Sequence, residues 1–194
     1  MIIDSSKNLE TQLSRCDGVI EHAGALLKYE HNQIPTINPK PSELIGIYGK
    51  KKDELIYNAL NSEAGKLIQE TNYVNYKTQI NKLSKVFLKI SEYKNRYSED
   101  INDINYINLV SLGNMVRIVI DDLNIHVMLD EAQKAELKKQ NKKALDKYFD
   151  ALYYYMNHEN IKDPLQKEKI DKVKGKIIEL GGEVPEILSP NSLT

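Results

Sequence analysis

Apolar side chains recur every three or four residues along nearly the whole of this chain, and that spacing is the rhythm of an amphipathic helix. Leu9, Leu13, Cys16, Ile20, Ala23 and Leu27 draw one stripe down a helix of about 22 residues that starts near Ser6. Leu55, Ile56, Ala59, Leu60, Leu67 and Ile68 give a looser face, with Asn61-Ser62 as a candidate kink. Tyr73, Tyr76, Ile80, Leu83, Phe87, Ile90 and Tyr97 keep a seam of coiled-coil type, with Lys94 in the one missing slot.

The segment from Asp103 to His126 is the most apolar. Leu109, Leu112, Val116, Val119 and Leu123 form its stripe, and Ile104, Val110, Met115, Ile118 and Ile120 widen it beyond half the circumference. A helix apolar on several sides is expected to be central. The β-branched cluster Val116, Ile118, Val119 and Ile120 would suit a strand, but the length and flanks of the segment favour a helix.

Punctuation divides the pattern. Pro35, Pro39 and Pro41 make residues 29–42 a stiff connector, because proline fixes φ and pushes the residue before it out of the helical region. Ser42 is expected to cap only a short turn to Tyr48, limited by Gly46 and Gly49. Ser98, Asp100 and Asp103 offer caps for the central helix. Asp130 with Gln133 reads as a capping box that opens a further helix to about Asn157, with Leu137, Ala144, Leu145, Tyr148, Leu152 and Tyr155 inside. Asp163-Pro164-Leu165-Gln166 opens the last helix, and Gly181-Gly182 closes it. Gly18 and Gly24 weaken the first helix unless another helix passes close to them.

The expected fold is therefore all-α: an antiparallel helical bundle of about six helices, since short connectors join antiparallel neighbours. Residues 1–28 are read as an N-terminal helix or arm, 29–42 as the connector, 43–182 as the bundle body and 183–194 as an irregular tail.

Composition narrows the setting. Cys16 is the single cysteine, which rules out an internal disulfide and a thiolate zinc cluster. No signal-peptide pattern opens the sequence and no apolar run reaches the roughly 20 residues that span a bilayer, so a cytoplasmic location is expected, or host cytoplasm for a viral chain, with no membrane partner. Three arginines stand among 27 cationic side chains, a bias that fits AT-rich coding from a low-GC or viral source. Seven acids lie between Ser98 and Glu131, and six lysines follow between Ala132 and Phe149, an asymmetry that two neighbouring helices would neutralise.

Chemical signatures are sparse. No phosphate-binding loop, dinucleotide fingerprint, nucleophile elbow or zinc-protease motif is present, and no cofactor or metal is expected. Asp122, His126 and Asp130 would share a face on one continuous helix, but the reading of Asp130 as a cap takes it out of line. Arg15 and His22 are the pair that a helical, metal-independent ribonuclease would need to hold a phosphate and move a proton. The strongest hint of a contact surface is Tyr153 and Tyr154 beside Lys139, Lys142, Lys143 and Lys147, a face suited to a partner protein or, second, to nucleic acid. The expected function is a non-enzymatic helical interaction module that binds another protein or itself, such as a phage or mobile-element accessory factor, an inhibitor or an assembly subunit.

Overall fold

A computed structural model of the chain describes residues 8–35, 37–70, 75–96, 104–157 and 166–184. The described residues form six α-helices and no strand: α1 (Leu9–His31), α2 (Pro41–Gln69), α3 (Tyr76–Arg96), α4 (Ile104–Leu137), α5 (Asn141–Asn157) and α6 (Gln166–Glu179). Ser6, Tyr73, Tyr97, the caps expected at Ser98, Asp100 and Asp103, the Asp163–Leu165 signal and the tail beyond Val184 lie outside the described residues.

The chain divides into two compact units. Among the described residues, one comprises those within 1–70 and 85–114, the other those within 71–84 and 115–194. In the first unit α1 and α2 form an antiparallel hairpin. Asn8 caps α1 by accepting from the Thr11 amide. The proline cluster follows the end of α1 and starts α2, with Pro41 in the first turn, where its missing N–H costs nothing. Glu43 reaches back to the Lys40 amide at 3.1 Å, and Glu30 accepts from both the amide and the hydroxyl of Ser42, at 3.0 and 2.7 Å. That clasp, with the Lys52–Asp17 ion pair further along, fixes the register of the hairpin. Cys16, Ala23, Ile56, Leu60 and Ala64 are buried in this unit. α2 is one helix of 29 residues, not the short turn to Tyr48: Gly46, Gly49 and Asn61-Ser62 all sit inside it without a break. Two or three unfavourable propensities of up to about 1 kcal/mol each do not stop a helix anchored at both ends by packing.

The larger correction concerns Asp130. α4 runs unbroken for 34 residues through it, and Asp130 pairs with Lys134 one turn on rather than capping anything. The break falls at 138–140. There Gln140 donates to the Ala135 carbonyl and Lys139 to that of Glu136, with Lys139 at φ 56°, the six-to-one and five-to-two bonds of a Schellman stop. α1 stops in the same way on Gln33 (φ 59°) and α6 on Gly181 (φ 82°). Leu137 accordingly lies in the last turn of α4 and is 85% exposed, not on the inner face of α5.

In the second unit Ile125, Ala132 and Ala135 of α4 pack with Ala144, Tyr148, Leu152 and Tyr155 of α5 and with Val173 and Ile177 of α6. Gly182 is locked against this core: a Cβ there would lie 2.7 Å from Leu145 and 2.8 Å from Ile177. Gly18 and Gly24, by contrast, face open space, and no helix among the described residues passes close to them. Replacing either by alanine is expected to stabilise the protein by about 0.5–1 kcal/mol, because only the helix propensity changes. Gly182→Ala should destabilise it by about 1–3 kcal/mol through overpacking. Urea denaturation of the three variants checks both signs.

Candidate functional site

The second unit contains a groove of about 1000 Å3 between the C-terminal half of α4 and α6, with α5 beneath it. Its apolar lining comes from Leu129 and Leu137 of α4, Tyr148 and Tyr155 of α5 and Val173 of α6. The continuity of α4 creates this lining, since Gln133, Glu136 and Leu137 reach the groove only because the helix does not stop at Asp130. Gly175 also lines it, and a Cβ there would meet nothing within 4 Å.

The charged groups on the rim are matched with one another. Lys176 bridges Glu136 at 3.2 Å and Glu179 at 3.0 Å, Lys172 meets Glu168 at 2.7 Å, and Lys169 stands 3.6 Å from Asp122. His126, also on the lining, stacks on the Tyr76 ring at 5.6 Å and approaches Asp122 at 3.4 Å through Nε2. The hydrogen bond from His126, followed by the Lys169 charge, holds the Asp122 carboxyl below its ordinary range. Glu136 is lowered likewise, first by the Tyr148 hydroxyl and then by Lys176.

Beside the groove lies the one buried charged side chain among the described residues, Asp121, 5% exposed. The Tyr154 hydroxyl donates to its Oδ1 at 2.7 Å, Asn124 donates to the Tyr154 oxygen at 3.4 Å, and Arg117 Nε stands 4.0 Å from Oδ2. This polar link ties α5 to α4. Sequence reasoning did not single out Asp121; the available signal was the Asp121-Asp122 pair on an otherwise apolar stretch of helix, one of which has to turn inward.

The six side chains expected to form one contact face are dispersed. Tyr153 is 72% exposed, whereas Tyr154, one residue and 100° further round, turns to Asp121. Lys147 turns to Asp150 at 3.0 Å and Glu131 at 3.8 Å, which neutralises part of the acidic stretch as the charge pattern suggested. Lys139 occupies the α4–α5 turn. Lys142 and Lys143 remain exposed on the outer side of α5 with Tyr153.

The other candidate constellations do not converge. Asp122, His126 and Asp130 do share one helix, contrary to the expectation from the cap, but Asp130 is engaged by Lys134, and no three metal-ligand side chains are grouped among the described residues. Arg15 and His22 lie two turns apart on α1, roughly 10 Å along its axis, and His22 Nδ1 is bonded to the Gly18 carbonyl at 2.6 Å. No described helix is long and apolar enough to cross a membrane. Compared with protein-family models, curated proteins and solved structures, the chain matches none.

Two measurements follow from the tyrosines. Burial first, and then Glu136, Asp121 and Asp122 respectively, push Tyr148, Tyr154 and Tyr155 up to about 12. A raised pKa means that the folded state keeps its proton longer, so stability is intact below pH 10 and is lost as pH climbs from 10 through 12. Absorbance titration should show Tyr148, Tyr154 and Tyr155 ionising near pH 12, and in denaturant these three should ionise at lower pH. Tyr154→Phe removes a donor from a buried carboxylate and should cost on the order of 1–3 kcal/mol, while Tyr153→Ala, at an exposed site, should stay within about 0.5 kcal/mol of wild type in thermal melts.

Proposed function

We propose that this protein is a non-enzymatic helical interaction module whose α4–α6 groove receives an amphipathic segment of another protein. One observation carries the reading: the groove has an aromatic and aliphatic floor, and its rim charges already pair with each other. A site so arranged has little charge to offer a substrate and much apolar surface to offer a helix, the mode in which affinity comes from side chains anchored in a trough. The groove reaches the upper end of the range typical of small-molecule pockets.

An inhibitor, an adaptor or an assembly subunit would use such a module, and the lysine-rich, arginine-poor composition fits a low-GC or viral source with a cytoplasmic setting. A nucleic-acid ligand has less to hold it. Lys142, Lys143 and Tyr153 would have to suffice, with Asp146 and Asp150 among them.

A photo-crosslinking amino acid at Leu137, installed in cells that make the protein naturally, tests the reading. The expected result is a discrete, stoichiometric adduct with one other chain, absent when the same group is placed at Lys82 on α3. Gly175→Phe, which fills the groove without a backbone clash, should abolish it. No adduct at Leu137, or one indifferent to Gly175→Phe, would contradict the reading.

A further inference from the structure

The α4–α6 groove has a direction, and the contacts around it define that direction. From Asp122 to Glu136, α4 meets first Lys169 and then Lys176, so α4 and α6 run the same way. α5 runs the other way, since its Tyr148 reaches Glu136 and its Tyr154 reaches Asp121. Two parallel helices therefore flank the groove, with one antiparallel helix beneath it. These are three corners of an antiparallel four-helix bundle, and the groove is the fourth.

Length and charge say what fits there. The lining runs from His126 to Leu137 on α4 and from Lys169 to Glu179 on α6. Both walls are about 15–16 Å long, three turns of helix. At the Leu137 end the lining carries Glu136 and Glu179 against Lys176. The carbonyl ends of α4 and α6 also lie there and outnumber the amide end of α5, so partial negative charge is in excess. At the other end the lining carries Lys169 and Lys172, whose acidic partners Asp122 and Glu168 stand off the lining.

We propose, building on the docking role of the groove, that it takes one amphipathic helix of another protein, about three turns long and antiparallel to α4 and α6. The amide end of that helix lies by Glu136, Glu179 and the two carbonyl ends; its own carbonyl end lies by Lys169 and Lys172. Apolar side chains at i, i+4, i+7 and i+11 run from Leu137 and Tyr148 at its first turn to Leu129 and Tyr155 at its last.

An extended segment would fit less well. The described residues form no strand, so no sheet edge is at hand to receive its main-chain hydrogen bonds, whereas a helix satisfies its own above an apolar floor. A second copy of this chain is the poorer source of the helix. Among the described residues α1, α2, α3, α5 and α6 each expose at most two large apolar side chains, too few for a stripe, and α4 is itself a wall of the groove.

Photo-crosslinking from both ends tests the conformation and the direction together. The reactive group is installed at Leu137 in one version and at Lys169, 40% exposed, in another, in cells that make the protein naturally, and the joined residues are located by mass spectrometry. The partner residue joined at Leu137 should precede the one joined at Lys169 by about ten positions, the count for three turns of helix. The reverse order overturns the proposal. So does a separation of about five positions, which means an extended segment at roughly 3.3 Å per residue, and so do adducts on two different proteins or at Lys169 not at all. Each of these outcomes, with the Leu137 adduct formed, leaves the docking role of the groove intact. An adduct on a second copy of the chain, or none at Leu137, removes that role as well.

Discussion

The structure depends on the unbroken course of α4. Its 34 residues supply apolar side chains to both compact units, the carboxylate of Asp121, the His126–Asp122 pair and one wall of the groove. Nothing between Asn114 and Leu137 interrupts it: no glycine or proline occurs there, and Ala132 and Ala135, both buried, let α5 and α6 pack close. Had the helix ended at Asp130, Gln133, Glu136 and Leu137 would belong to a different element. The groove would then lose the residues that face α6.

Two kinds of polar placement give the second unit its character. Asp121 is buried and held by Tyr154, an arrangement that costs desolvation and is tolerable only while its hydrogen bonds persist. The rim residues are half-exposed and pair in short runs, so each contributes little stability, but together they cancel the charge around the groove. The outcome is an apolar trough in a nearly neutral frame, the feature on which the proposed docking of a protein segment rests.

The helices themselves were legible in the sequence because periodicity reports burial directly. Cys16, Ala23, Leu83, Ile90, Leu109, Leu112, Val116, Tyr148, Leu152 and Ile177 all face inward as their spacing required. Boundaries were harder, for identifiable reasons. Asp130 has the chemistry of a cap and equally that of an i,i+4 partner for Lys134, and only tertiary context decides between them. Two helices stop on Gln33 and Lys139 in the left-handed region without a glycine to announce it. Periodicity also cannot say which neighbour a face meets. An apolar circumference looks the same whether every side is covered or, as at Ile104, Ile107, Met115 and Ile118 of α4, part of it is exposed. Tyr153 and Tyr154 make the same point at single-residue scale, since adjacent tyrosines on α5 have opposite fates.

Backbone hydrogen exchange along α4 tests the account most directly. The amides of residues 128–135 should be as well protected as those of the helix interior before them, with fast exchange appearing only at the turn, residues 138–140. Rapid exchange centred on Asp130, with protection resuming by Gln133, would mean that two helices meet there, and would contradict the continuous α4 on which the groove depends.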